Sequence, residues 1–445
     1  MTTSFIQVLL CLTAGIALII LLTAKYKVHA FFALLIACFV VGLGVQMPFT
    51  TLLNSVKEGF GHTMQLLGLI IVLGTTLGVL LEHTGCTRVM AGFILKKLGE
   101  KRAPLAMSLT GFIVGLPIFC DSGYIVLSGL NKSMAKRTGV SMVIMATSLA
   151  TGLYSVHCLI PPHPGVSTAA GNIFGKDVDF GKLIAIGVAV AVPGMIAGHL
   201  WARFAGKRIT YVAAKEEELI EHTTAPSALM AFLPVIVPIL LIAANSFFAL
   251  EKNKETRWHE LFSVLGEPSI ALSIGVLLAF ATIRNWTKQA VSKLLQEGAE
   301  KAGSILVIIG AGGAFGAVLA ATNIGQHFSN AFDLKSIGIF FPFLLTFILK
   351  TAQGSSTIAI ITASSIVVPL LNSLGLDSEN GRLICVLSMG AGSMMISHAN
   401  DAYFWVITKF SGLEMRPMLK TYSVATIWMG LITLLTVYIL SLILL

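Results

Sequence analysis

Apolar runs of about 20 residues recur along almost the whole chain, the length a helix needs to cross the hydrocarbon of a bilayer. This pattern limits the fold more than any other feature. In lipid every backbone amide and carbonyl needs an internal partner, so only helices and closed barrels span. Barrel strands would read as roughly 10-residue alternating segments, and these runs are continuous. The expectation is an all-α polytopic membrane protein. Composition agrees, with 11% charged residues against about a quarter in soluble domains. The net charge of +9 is read as Lys- and Arg-rich cytoplasmic loops, not as a nucleic-acid surface.

Spans are expected at about 5–24, 30–47, 66–82, 141–159, 182–202, 228–249, 268–283, 303–321, 383–399 and 421–444, about 10 transmembrane helices in all. The opening "MTTSFIQVLL" has no basic n-region, so 5–24 is read as a retained first span rather than a signal peptide. Lys25 and Lys27 follow it and place the N-terminus outside, and the count then places the C-terminus outside as well. Residues 50–64 and 287–302 read as amphipathic interfacial segments, and the stretch holding Arg88, Lys96, Lys97, Lys101 and Arg102 as a basic loop. Residues 104–139 carry two apolar halves around "GLPIFCDSGY", with basic residues at both ends. Both ends favour the cytoplasm, so a re-entrant hairpin is expected, its tip near Cys120–Gly123. A second hairpin is expected over 337–372, with "KTAQGSST" at its tip.

The stretch 56–81 lines up with 295–320, and the order of spans, hairpin and broken span repeats. The polar segment 213–227 reads as a cytoplasmic linker between a first repeat, 1–212, and a second, 228–445. An odd number of crossings per repeat inverts the second against the first. Inverted repeats with broken helices point to a secondary transporter with its site near the midplane. Nothing resembles a selectivity filter or a phosphate loop. The six cysteines lack metal-ligand spacing, and no cofactor is expected.

Irregular backbone in lipid must be buried in protein or line a wet cavity. Four such stretches occupy matching places in the two halves: Cys120–Gly123, His157–Gly165, Gln353–Thr357 and Ser397–Asp401. Helix N-termini there attract anions. Lys350 is read as the clamp for a substrate carboxylate, the alternative being a pair with a protein acid. Asp121 is read as a proton carrier, or else a structural partner of Lys350 or of a backbone donor. Asp401 is a second proton candidate, or an ordinary helix N-cap. Substrate contacts are assigned to Asp121, Ser122, Gly123, His157, His163, Gly354, Ser355, Ser356, Thr357, His398 and Asn400 beside Lys350. Glu82 and His83 read as interfacial. His157, His163 and Asp401 raise the alternative of an intramembrane metalloenzyme, disfavoured because no HExxH occurs.

The pieces "HCLIPPHPG" (157–165), "LVIIGAGGAFGAVL" (306–319), "GSSTIAIITASSIVVPL" (354–370) and "SHANDAYFW" (397–405) resemble the gluconate permease family of the wider ion-transporter superfamily, over nearly the full chain. The resemblance implies proton-coupled uptake of gluconate or a related sugar or hydroxy acid across a bacterial inner membrane. It also implies a homodimer with opposed hairpins whose tips form the site. Two departures stand out. Asp121–Ser122 replaces a Glu followed by an apolar residue, and "GSST" replaces "GSAT". D-serine and D-glycerate permeases look similar, and Na⁺ coupling through exposed carbonyls is the alternative to protons.

Overall fold

The structure, a computed structural model, describes residues 5–99, 102–207, 226–249, 257–283, 287–322, 334–398 and 401–445. The linker expected at 213–227 lies almost wholly outside them. The first half holds α1 (Phe5–Ile20), α2 (Ala30–Gly44), α3 (Phe49–His83), α4 (Cys86–Leu98), α5 (Ala103–Gly115), α6 (Cys120–Thr138), α7 (Met142–Leu159), α8 (Pro164–Phe174) and α9 (Phe180–Gly206). The second holds α10 (Ala228–Ala249), α11 (Arg257–Leu265), α12 (Pro268–Ala281), α13 (Lys288–Ala321), α14 (Phe340–Gln353), α15 (Ser356–Val367), α16 (Glu379–Met394) and α17 (Ala402–Phe410), and ends in α18 (Met415–Leu444). Among the described residues, seven helical stretches are long and apolar enough to cross a bilayer, with shorter apolar helices between them. The protein is an all-α polytopic membrane protein.

Two sequence expectations change. The interfacial segments at 50–64 and 287–302 are not separate from the spans that follow them. They continue into α3 and α13, helices of 35 and 34 residues. No proline interrupts either junction, so nothing breaks the hydrogen-bond ladder. The basic loop after residue 85 contains α4. Cys86, Thr87, Met90, Ala91 and Ile94 form its buried stripe, and Gly99, at φ +77°, ends it.

α3 and α13 pack against each other in opposite directions. A Cβ placed on Gly59 would lie 2.4 Å from the carbonyl oxygen of Gly313, and one on Gly298 would lie 2.7 Å from Thr76 Oγ1. The start of α3 therefore meets the end of α13, and the reverse. These are the two segments that the sequence repeat aligns. The hairpin arms are seated by the same small-residue device, which substitutes for a hydrophobic drive between helices in lipid. Gly152 of α7 admits the backbone of Ser108 in α5, and Gly392 of α16 admits that of Phe343 in α14. Gly390 of α16 lies against the Cys158 carbonyl of α7, so the two broken helices cross.

Candidate functional site

Four chain breaks meet at this crossing. The first runs over 116–119 and ends at Phe119, an extended residue capping α6. Pro117, which has no N–H, helps end α5 one turn earlier than expected. Cys120–Gly123, expected as the tip, is therefore the first turn of α6. The second break is Ile160–His163 between α7 and α8, with His163 at the N-cap and Pro164 opening α8. The third is the pair Gly354 and Ser355. Gly354 sits at φ +82°, a left-handed conformation that glycine adopts without steric penalty. The Ser355 hydroxyl accepts from the Ile358 amide at 3.3 Å. The fourth lies between α16 and α17 and contains Ile396 at φ +44°, a strained position for a β-branched residue.

A closed ion pair holds the third and fourth breaks together. Lys350 is fully buried, and its Nζ donates to Asp401 Oδ2 at 2.6 Å and to the Gly354 carbonyl at 2.9 Å. Asp401 also accepts from Ser397 Oγ at 2.5 Å and, through Oδ1, from the Tyr403 amide at 2.9 Å. Asp401 is thus both the N-cap of α17 and the counter-ion of Lys350. The pair matches the alternative reading of Lys350, a bond to a protein acid, and the acid is Asp401 and not Asp121. Asp401 is near in space because the hairpin returns to the second broken helix.

Asp121, in the first turn of α6, is placed differently. Its Oδ1 is buried and has no hydrogen-bond partner among the described residues, yet the charges of Asp401 and Lys350 are near enough to act on it. His157 Nε2 lies 3.3 Å from Thr357 Oγ1, linking α7 to the second hairpin, while its Nδ1 is buried without a partner among the described residues. His163 Nε2 donates to the Gly115 carbonyl at 2.7 Å, tying the second break to the first hairpin. The two imidazoles stand edge to face at 4.8 Å, with Phe119 against both. No group of three metal-ligating side chains occurs among the described residues.

The other expected site residues divide. Ser356 is buried at the start of α15, and the backbone of Thr357 approaches Gly165 of α8. His398 Nε2 lies 3.3 Å from the Thr351 carbonyl. Gly123 faces Leu153, where it admits close helix packing. Ser122 is beside Glu82 at the end of α3. Asn400 lies outside the described residues. Glu82 and His83, expected as bland, join α3 to α13: His83 pairs with Glu297 at 3.0 Å, and Lys301 reaches Glu297 and Glu82 at 2.9 and 3.9 Å.

The sequence reading missed a cluster of buried tyrosines. Tyr124, Tyr154, Tyr403 and Tyr422 stack or meet edge to face with ring centres 5.7 to 6.4 Å apart. Tyr154 also lies over His157. A signal existed, since Tyr124 is three residues after Asp121 and Tyr154 three before His157, spacings that share a helix face. Gln353, named only as the edge of the third break, was not read as a site residue. It is buried at the end of α14, and neither amide atom has a partner among the described residues. A small crevice separates the breaks from α3. Gly74 and Thr75 line one side, and Phe119, Pro162 and His163 the other.

Residues 7–443 match the family model described as GntP family permease. The chain belongs to the GntP permease family. It is 33% identical over 440 residues to a gluconate permease of Pseudomonas aeruginosa, covering 96% of each chain. It is 30% identical to a D-serine transporter of Escherichia coli strain K12, covering 98% of this chain and 99% of that one. An L-idonate transporter of the same strain is 28% identical, over 94% of this chain and 95% of that one. The fold resembles that of the YdaH transporter of Alcanivorax borkumensis, with TM-score 0.63 at 14% identity over 87% of this chain and 88% of that one. This GntP permease is a membrane transporter, not an enzyme.

Proposed function

We propose that the permease carries gluconate or a related hydroxylated monocarboxylate inward, coupled to protons. The observation behind this reading is the contrast between two buried acids. Asp401 is paired with Lys350, whereas Asp121 makes no ion pair among the described residues and has an oxygen without a partner among them. A substrate carboxylate entering beside an ionised Asp121 would meet like charge, while a protonated Asp121 removes that repulsion and offers a donor. Anion binding and protonation then favour each other, which is symport. The carboxylate docks on the open backbone amides at the starts of α6 and α15. The hydroxyls of Ser355, Ser356 and Thr357 and the imidazole of His157 face the rest of the molecule. Lys350 holds the third and fourth breaks in register.

The same reading places the protein in a bacterial inner membrane as a homodimer of two inverted repeats. The long antiparallel pair α3 and α13 forms a fixed frame, and the hairpins with the broken helices move against it. The test is uptake of labelled D-gluconate by proteoliposomes under an inward proton gradient without Na⁺. Accumulation abolished by a protonophore supports the proposal. Accumulation that ignores the protonophore and requires Na⁺ overturns proton coupling. D-serine accumulated in place of gluconate overturns the substrate.

A further inference from the structure

We infer that Gln353 selects the polyhydroxy chain of the substrate, through a vicinal pair of hydroxyls, an inference that rests on the transport reading above. Gln353 ends α14 directly before the left-handed Gly354, whose carbonyl is held by Lys350. It is only 9% exposed, and neither Nε2 nor Oε1 has a partner among the described residues. Leaving a buried amide unmatched is costly, and buried polar groups without partners call for an explanation. The position supplies one. Gln353 belongs to the same tip as Ser355, Ser356 and Thr357, and Thr357 joins that tip to His157.

The kind of ligand follows from the donor and acceptor count. A primary amide offers donors at Nε2 and an acceptor at Oε1. A carboxylate only accepts, so it would leave Oε1 unmatched. An ammonium only donates, so it would leave Nε2 unmatched. Adjacent hydroxyls do both: one donates to Oε1 and its neighbour accepts from Nε2. Gln353 therefore matches the polyol of a sugar acid rather than its carboxylate. A site built to bond a hydroxyl discriminates strongly, because its own groups are stranded when the hydroxyl is missing.

Gln353→Met tests this, because it keeps the length of the side chain and removes both polar atoms. Two readouts are taken on the full-length protein. In proteoliposomes, KM for D-gluconate should rise roughly tenfold or more while the maximal rate stays within about threefold, the size expected when hydrogen bonds to a bound ligand are removed. In detergent without substrate, the melting temperature should hold or rise, because a stranded amide gives way to an apolar side chain. An amide with a structural role would do the opposite, lowering the melting temperature and leaving KM unmoved, and that result overturns the inference. An unchanged KM with unchanged stability overturns it too, since an ordered water would then suffice as the amide's partner. Failure of the wild-type protein to accumulate gluconate brings down the transport reading and this inference together. Wild-type accumulation with an indifferent Gln353→Met removes the inference alone.

Discussion

The ammonium of Lys350 lies 2.6 Å from Oδ2 of Asp401, and both side chains are withdrawn from solvent. The pair joins the tip of the second hairpin to the start of α17. Buried charges are expensive to desolvate, and mutual attraction with further hydrogen bonds must offset that expense. Here Ser397, the Gly354 carbonyl and the Tyr403 amide supply those bonds. The pair is a fastener between two breaks.

Removing one partner strands the other. Lys350→Met and Asp401→Asn should each lower stability by about 3–5 kcal/mol. The double substitution should lose much less than the sum, since neither charge remains unpaired. Thermal melting of the four proteins in one detergent gives the coupling. Strictly additive losses would mean that the pair contributes nothing as a pair.

Asp121→Asn should abolish accumulation of substrate against its gradient and spare exchange of labelled for unlabelled substrate across the membrane. Asparagine offers a donor at the same place but cannot shed a proton. Counterflow and gradient-driven uptake measured on the same vesicles separate the two activities. Full accumulation by this variant would remove Asp121 from proton coupling.

Gly59→Val should weaken the contact between α3 and α13. Its Cβ would sit 2.4 Å from the Gly313 carbonyl oxygen, and backbone on that side leaves nothing flexible to yield. Overpacking of this kind costs about 1–3 kcal/mol. Gly61→Ala serves as the control, because a Cβ there meets nothing within 4 Å. Equal melting temperatures for the two variants would contradict the packing account.

Metal removal should be without effect. No group of three metal-ligating side chains occurs among the described residues. Dialysis against a chelator should leave uptake unchanged, and the purified protein should hold less than one zinc per chain. Stoichiometric zinc lost together with activity would reopen the metalloenzyme alternative.

The helical class, the two hairpins and the two broken helices were legible because each leaves a local mark. Apolar length marks a span, and proline or glycine inside one marks a break. The error at the first tip was also local: the polar residues Asp121 and Ser122 drew attention past Pro117, where α5 is already ending. The joining of 50–64 to the following span was missed for a different reason. Polarity along a segment does not reveal whether the helix stops, and no breaker separates the two parts of α3.

The amino-acid sequence by itself determined that this chain lives in a membrane as helices, where those helices break, and which polar groups the breaks carry. Those are consequences of composition and of backbone chemistry within a few residues. The tertiary structure decided how the polar groups are shared out. Lys350 and Asp401 are 51 residues apart and meet, while Asp121 Oδ1, the Gln353 amide and His157 Nδ1 are left unmatched among the described residues. Pairing is a competition settled by distance in space, and two acids with the same chemistry are told apart only when one of them is seen beside the cation.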